Sequence, residues 1–200
     1  MAGKGKYYES QFEEATIELL RESHWQYTFG DDIHRKYTDP LIEEDLRTFL
    51  AAQYKDKELT VSEVDGIVAN LRNTGGQNDY YALQNTFLLY RDGYDFTYSD
   101  GRGNPFRLQY IDFEHPDHNI FRCVNQFVME QGRENRRPDI LLFINGIPVC
   151  IIELKNPTKQ NATIRDAHTQ ICTRYMRDIP ALLKYLSLIH ISEPTRLALI

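Results

Sequence analysis

Three ionisable residues lie at the ends of two strongly apolar runs, where a charge needs a specific reason. Asp139 begins the run Asp139–Ile144, and Glu153 and Lys155 end the run that starts at Pro148. A buried charge is costly unless it is paired or bound to a metal. Magnesium prefers oxygen ligands, and a lysine two residues after a carboxylate lies on the same face of a strand. We therefore predict that Asp139 and Glu153 bind Mg2+ and that the Lys155 ammonium orients a water for attack on a phosphate.

The turn Asn145-Gly146 joins the two runs and decides whether the carboxylates meet. In a strict two-residue hairpin, Asp139 would lie opposite Ile152, and Glu153 would point to the other face. One bulge, or a three-residue loop, moves the pairing by one residue so that Asp139 faces Glu153. We predict that shift, because the site fails without it.

Four helical patterns precede this hairpin. They are the apolar stripe of residues 9–23, the Asp39-Pro40 N-cap and first turn of a second helix, the Thr60 to Glu63 capping box of a third, and a fourth helix from about Tyr81 to Arg91 that Gly93 stops.

Strand patterns follow the helices. Two strands around the glycine-rich turn at residues 100–103 should form a hairpin, and residues 119–129 are a third strand candidate. The two runs joined at Asn145 are apolar on both faces, which predicts central strands covered by helices on each side. A further helix is expected from about residue 162 to 176. The order predicts an α/β (α+β) fold, a mixed sheet flanked by helices with an N-terminal helical region.

Composition narrows the class of protein. The 200 residues carry a net charge of -6, which does not suit a free-standing polyanion binder, so positive charge toward a nucleic acid must be local or come from other subunits. No apolar run is long enough to span a membrane and no secretory leader is present, so we expect a cytoplasmic protein with no membrane partner. The three cysteines include no C-x-x-C pair, which argues against a zinc knuckle or a disulfide framework.

The segment from Arg136 to Pro148, followed by Glu153-Leu154-Lys155-Asn156-Pro157, resembles the N-terminal PD-(D/E)xK nuclease domain of type I restriction enzyme R subunits. Further matching segments are Asn125-Gln126-Phe127, the Phe12-Glu13 helix with Trp25, and Arg177-Asp178-Ile179-Pro180. The resemblance spans about Tyr7 to Tyr185 and is much more specific than a lone E-x-K.

The resemblance implies a metal-dependent DNA endonuclease. Its Mg2+ ligands would be Asp139, Glu153 and the Leu154 carbonyl, and Lys155 would be the catalytic lysine. The implied partners are double-stranded DNA and the methyltransferase and specificity subunits of a type I restriction complex. The chain has no phosphate-binding loop, so ATP would act only through motor domains that follow in the family, and we expect the chain to be a fragment of a larger subunit.

Other residues are candidates for supporting roles. Arg136 and Arg137 could contact DNA phosphates, although a surface salt bridge fits them equally well. Glu13 is a candidate for an extra carboxylate, with a solvated helix charge as the alternative. The family carries a Gln-x-x-x-Tyr element associated with nuclease function, but here Gln170 and Tyr175 are five residues apart, which separates them on an α-helix by roughly 140°.

The last segment, residues 186–200, resembles the translation of a transposase-type sequencing-library adapter. We therefore predict that the nuclease domain comprises residues 1–185 and that 186–200 is a non-native tail. The alternative is a final strand from Leu186 to Ile191.

Two rival functions and one minor motif remain open. The chain could be a catalytically silent nuclease-fold module that only docks onto its partners or onto DNA, or it could be a stand-alone PD-(D/E)xK nuclease. His115 and His118 form an H-x-x-H pair in a proline-containing loop, and without further ligands nearby we expect them to be ordinary loop histidines.

Overall fold

A computed structural model describes residues 9–154 and 168–192, so Lys155 and the tail beyond residue 192 lie outside the described part. Four longer helices lie in the N-terminal half of the chain: α1 Glu9–Glu22, α2 Glu43–Gln53, α3 Val61–Asn73 and α4 Asp79–Asp92. The strands are β1 Gln26–Phe29, β2 Tyr94–Phe96, β3 Phe106–Leu108, β4 Phe121–Asn125, β5 Met129–Gln131, β6 Glu134–Arg136, β7 Ile140–Ile144, β8 Ile147–Leu154 and β9 Leu188–Ser192. Between β8 and β9, a π-helical segment Gln170–Tyr175 leads into the short helices α5 Met176–Asp178 and α6 Pro180–Leu183.

The main sheet has five strands in the order β1-β4-β7-β8-β9. The pairs β4/β7 and β7/β8 are antiparallel, whereas β1/β4 and β8/β9 are parallel. Two small antiparallel pairs, β2/β3 and β5/β6, stand beside it. The predicted mixed sheet with an N-terminal helical region is confirmed.

Helical segments cover both faces of the central strands, as their apolar runs predicted. Leu141 and Ile151 pack in a buried cluster with Ile171 from the segment before β9. Their neighbours Ile140 and Ile152 belong to a different buried cluster, which contains Ile17 of α1. Successive residues of a strand point to opposite faces, so the two clusters lie on the two sides of the sheet.

The start of α2 differs from the prediction. The helix begins at Glu43, and Asp39 does not cap it: the Asp39 carboxylate accepts a hydrogen bond from the Leu41 N–H at 3.1 Å and so closes a turn before the helix. The side chain of an aspartate can bind backbone N–H groups in a turn or at a helix start, and the sequence pattern did not separate the two. The Thr60 capping box of α3 and the stop of α4 at Gly93 are confirmed.

The single strand predicted over residues 119–129 is two strands, β4 and β5. Gln126 interrupts it with a φ of 56°, a left-handed conformation that ends strand pairing. The Cβ position at Gly30 explains the geometry of this corner, because a side chain there would lie 2.5 Å from the Gln126 carbonyl oxygen. The chain therefore turns out of the sheet directly after Asn125.

The last described residues form a strand. Strand β9 pairs in parallel with β8 along Cys150 to Leu154, and the Ser187 N–H donates to the Val149 carbonyl at 2.8 Å. This agrees with the alternative of a final strand, two residues shorter at its start than predicted.

The helix predicted from residue 162 lies partly outside the described residues, and its described part continues as the π-helical segment. Among the residues that the structure describes, no helix has both the length and the apolar character needed to cross a bilayer.

Gly146 provides a test of how the β7–β8 turn is held. Its φ is +75°, and an added Cβ would lie 2.0 Å from the Ile42 carbonyl oxygen. We expect Gly146→Ala to lower the free energy of unfolding by about 2 kcal/mol or more, since the left-handed conformation alone costs an L-residue roughly 1–2 kcal/mol and the Ile42 backbone must also move. Urea unfolding measures the change.

The matched control is Gly132→Ala, in the turn between β5 and β6. Gly132 has a similar φ of +64° but nothing within 4 Å of its Cβ position. It should therefore lose only the conformational part, about 1 kcal/mol. Equal losses in the two variants would show that contact with Ile42 does not matter.

Candidate active site

A β-bulge sets the register of the central hairpin. Ile144 pairs with Ile147 across the two-residue turn, and Phe143 pairs with Pro148, but Leu142 pairs with Cys150. Val149 is therefore the extra residue on β8. Proline cannot donate to a strand ladder and is confined to edges, strand starts and bulges, so Pro148 is the sequence signal for this irregularity.

The bulge produces the predicted shift. Beyond it, Ile140 pairs with Ile152, and the same register continued by one residue places Asp139 opposite Glu153. Residues directly opposite each other on antiparallel strands share a face, with Cβ atoms about 4.5–5.5 Å apart. The turn itself has two residues, so the bulge, not a longer loop, causes the shift.

Asp139 is fixed at both its backbone and its side chain. Its carbonyl accepts a hydrogen bond from the Gln126 N–H at 3.2 Å, and its Oδ2 accepts one from the Leu154 N–H at 2.7 Å. Leu154, whose carbonyl was predicted as a ligand, thus also holds the Asp139 carboxylate through its N–H. These contacts restrict the orientation of the Asp139 carboxylate at the end of β7.

Glu153 is buried, with 1% of its surface exposed, and its Oε1 accepts a hydrogen bond from the Tyr175 hydroxyl at 2.8 Å. Tyr175 is itself buried in the cluster on that side of the sheet. A hydrogen bond to an ionised carboxylate favours the charged form. The sequence pointed to Tyr175 only through the family element, and it gave no sign that the partner would be Glu153.

The π-helical segment changes the argument about Gln170 and Tyr175. The two residues bound it, and the Met176 N–H after it donates to the carbonyl of Ile171, five residues back. Helical bonds between residues five apart widen the turn, so residues at that spacing return to about the same side. The 140° separation assumed an α-helix and was wrong for this backbone.

Glu13 lies at the same end of the sheet as Asp139. Its Oε1 accepts hydrogen bonds from the side-chain amides of Asn125, at 2.8 Å, and Gln126, at 3.0 Å. Gln126 also binds the Asp139 carbonyl through its backbone, so one residue connects the two acids. Glu13 is thus held by specific donors, which distinguishes it from a freely solvated helix charge.

Arginine side chains border the site on the other side. A cavity of about 410 Å3 is lined by Asn135, Arg136, Arg137, Arg174, Tyr175 and Arg177. The buried Asp178 carboxylate pairs with Arg177 and Arg136, and these two guanidinium groups lower the pKa of Asp178. For Arg136 the predicted salt bridge is the outcome, since it also pairs with Glu134.

Arg137 and Arg174 differ from their neighbours. Both are exposed, and within residues 9–154 and 168–192 neither has a carboxylate partner. Arg136 and Arg177 are balanced by Asp178 and Glu134, so the two remaining arginines leave the cavity with a net positive charge of two. The net negative charge of the chain had implied that any positive charge toward a nucleic acid must be local, and these two arginines supply such charge.

A second group of ligand-type side chains lies elsewhere. Asp112, His115 and His118 bring one potential ligand atom each to within 4.8 Å of one another. The expectation that the two histidines have no further ligand nearby was wrong. An aspartate before a proline-containing loop resembles a turn residue, although the sequence does contain the regular spacing Asp-x-x-His-x-x-His. This group lies at the Asn145 end of the sheet, because Asn119 links the Asp112 N–H to the Asn145 side chain. The five residues of β7, about 16 Å of strand, separate it from Asp139.

Comparisons with known proteins agree on one family. A family model described as the type I restriction enzyme R protein N terminus matches residues 6–198. The type I restriction enzyme HindI endonuclease subunit of Haemophilus influenzae is 29% identical over 195 residues, which cover 92% of this chain and 18% of that protein. The putative type I restriction enzyme MjaIXP endonuclease subunit of Methanocaldococcus jannaschii is 31% identical over 198 residues, covering 90% and 18%. The chain thus spans less than a fifth of the length of these curated relatives.

Replacing Tyr175 by phenylalanine tests its contact with Glu153. The variant leaves a buried carboxylate without its hydroxyl donor, and hydrogen bonds to charged groups contribute about 1.5–3 kcal/mol. We expect Tyr175→Phe to lose stability in that range at neutral pH, measured by urea unfolding without metal. Tyr37→Phe is the control, because Tyr37 is exposed and its hydroxyl makes no hydrogen bond among the described residues. A Tyr175→Phe chain as stable as the parent would show that the hydrogen bond is not formed in solution.

Proposed function

We propose, because this chain belongs to the family of type I restriction enzyme R protein N termini, that it is the metal-dependent DNA endonuclease domain of such an R subunit. The observation that carries the proposal is the β7–β8 register, which puts Asp139 opposite the buried Glu153. In this reading the chain cuts phosphodiester bonds of foreign, unmodified double-stranded DNA. It would act in the cytoplasm, where that DNA and its partner subunits are found.

The donor set fits a hard divalent cation, and Mg2+ is the ion we propose. Asp139 and Glu153 offer carboxylate oxygens on one face, and the Leu154 carbonyl follows directly. A bound ion of this kind would stabilise charge on the phosphate and lower the pKa of an attacking water. Burial of Glu153 behind Tyr175 keeps its carboxylate in one orientation, which a metal ligand requires.

The other side chains have distinct proposed tasks. Lys155, by the family resemblance, orients the attacking water and offsets charge on the phosphate. Arg137 and Arg174 hold neighbouring phosphates, for which free guanidinium groups are well suited. Tyr175 lines the arginine cavity and bonds Glu153, so it would connect the two, and Gln170 is its proposed companion by the family resemblance. Glu13 is the candidate for an additional carboxylate near Asp139.

Partners are part of the proposal. The methyltransferase and specificity subunits would supply DNA recognition, and motor domains elsewhere in the R subunit would use ATP. The cavity around Arg137 and Arg174 offers an acidic chain a small positive surface, which suits a domain to which DNA is delivered. We further propose that the native domain ends near Tyr185 and that residues 186–200 are a non-native tail, with β9 occupying the sheet edge beside β8.

Magnesium-dependent nicking of plasmid DNA by residues 1–200 tests the nuclease. We expect Asp139→Ala and Lys155→Ala each to reduce nicking by about 100-fold or more, since the first removes a proposed ligand of the metal ion and the second a positive charge that would stabilise the transition state. Asp95→Ala, an exposed acid on β2, should cut like the parent. The assay keeps residues 186–192 in place because β9 pairs with the strand that carries Glu153.

If the parent chain does not cut DNA, the same variants are made in a full-length R subunit and assayed with its partner subunits and ATP. Loss of cleavage there with Asp139→Ala supports a nuclease that depends on its motor. Undiminished cleavage by that variant would establish the silent docking module instead.

The salt dependence of DNA binding tests the arginine surface. Measured without divalent metal, the slope of log affinity against log salt concentration should fall in magnitude by roughly 1.8 in Arg137→Ala with Arg174→Ala, since each phosphate contact contributes about 0.9. Lys36→Ala with Lys55→Ala makes the same change in net charge at exposed positions away from the cavity. An equal fall in both double variants would reduce the effect to overall charge.

A further inference from the structure

The group formed by Asp112, His115 and His118 has the geometry of a small metal site. The Nδ1 atoms of His115 and His118 lie 3.7 and 3.1 Å from the same carboxylate oxygen, Oδ2 of Asp112. Around zinc, with bonds of about 2.1 Å, ligand atoms of a tetrahedral shell are roughly 3.4 Å apart. The observed separations lie on either side of that value.

Asp112 is held as a ligand would be. Its Oδ1 accepts hydrogen bonds from the backbone N–H groups of Glu114 and His115, and its Oδ2 accepts one from the side-chain amide of Gln53 at 2.9 Å. Burial raises the pKa of Asp112, but the hydrogen bonds from His115, Gln53, His118 and Glu114 outweigh it and leave the pKa below its ordinary value. Only 5% of Asp112 is exposed, so these contacts fix the carboxylate in a buried position.

The Asp112 carboxylate differs from three other buried carboxylates in the side chains that pair with it. The buried carboxylates of Asp45, Glu63 and Asp178 each pair with at least one arginine. Within residues 9–154 and 168–192, Asp112 has no lysine or arginine partner, and the side chains in ion-pair range are the two histidines. A buried carboxylate without a permanent cation is costly, and a metal ion would compensate it.

We propose that Asp112, His115 and His118 bind a zinc ion, with water in the fourth position. Imidazole nitrogens suit zinc and other borderline transition metals, whereas magnesium requires oxygen ligands, so this site differs in kind from the one at Asp139. The two rings are stacked, with centroids 4.9 Å apart, and the soft torsion about the histidine Cβ–Cγ bond lets both nitrogens turn toward one ion.

The site would act on structure, not on the phosphodiester. Gln53 belongs to α2, and Asn119, just before β4, bonds the Asp112 backbone. An ion at Asp112 would therefore fasten the 112–118 loop between α2 and the start of β4, at the end of the sheet far from Asp139. The proposal does not depend on the nuclease activity.

The test is zinc binding by the metal-free chain in excess magnesium, which would compete with zinc for the oxygen ligands of Asp139 and Glu153. We expect one zinc per chain after gel filtration, and cobalt in its place should give the visible absorption of a tetrahedral site. Zinc at about 100 times its Kd should raise Tm by roughly 5–10 °C. Magnesium alone should not.

Variants separate this site from others. His115→Ala with His118→Ala should abolish both the bound zinc and the rise in Tm, and both side chains are exposed, so the chain should still fold. Asp112→Asn keeps the oxygen that accepts the backbone N–H groups and should weaken zinc binding at least tenfold. His34→Ala with His190→Ala removes two other exposed histidines and should change nothing.

Two results would overturn the proposal. One is a parent chain that binds no zinc, or binds it as tightly as the His115/His118 double variant. The other is stabilisation that depends on these histidines only as the pH is lowered and without any metal, which would identify an imidazolium–carboxylate pair in place of a metal site.

Discussion

The pairing of β7 with β8 constrains all the chemistry that this domain could perform. Side chains alternate along a strand, so a slip of one residue would turn Glu153 away from Asp139. Three local features prevent the slip: the two left-handed residues of the Asn145-Gly146 turn, the extra residue Val149, and the hydrogen bond from Leu154 to Asp139. Each acts at a different point along the hairpin. Together they leave the strands one register.

The two ends of this hairpin differ in how their polar side chains are paired. At the turn, the Asn145 amide is fully used: it donates to Tyr110 and Asn119 and accepts from the Ile120 N–H. Such complete pairing makes this end rigid. At the other end, Asp139 and Glu153 bring two acids to one face, a cost that a bound cation would offset. The rigid turn thus helps to hold the strand ends at which Asp139 and Glu153 lie on one face.

Much of the fold follows from local patterns. The Thr60 capping box, the apolar runs and the register shift all come from short-range rules that no tertiary contact overrides. Proline at position 148 even indicates where the bulge lies. What the sequence could not provide depends on contacts between distant segments. The strand expected through residue 126 breaks where the backbone of Gly30 lies against Gln126. Asp39 is a different case, because its carboxylate binds the nearby Leu41 N–H in a turn, a local choice that the sequence pattern did not distinguish from a helix cap.

In the candidate site, too, the residues with a local sequence pattern could be predicted and the contacts between separate segments could not. Asp139 and Glu153 could be located because each interrupts an apolar run. The contact of Tyr175 with Glu153 joins segments 22 residues apart and has no pattern of its own. Asp178, buried between two arginines, likewise resembled an ordinary charged residue of a family segment.

The π-helical segment has a consequence for how such domains diverge. One additional residue in a helix would ordinarily rotate everything after it by about 100° and detach Tyr175 from the sheet. The π-helical turn at residues 170–175 can hold one such residue locally, and Tyr175 bonds Glu153 from its end. A π-helical turn would therefore let the Gln–Tyr interval be one residue longer without loss of the tyrosine contact, and a search that demands a fixed interval would miss a chain whose tyrosine, like Tyr175, reaches its glutamate.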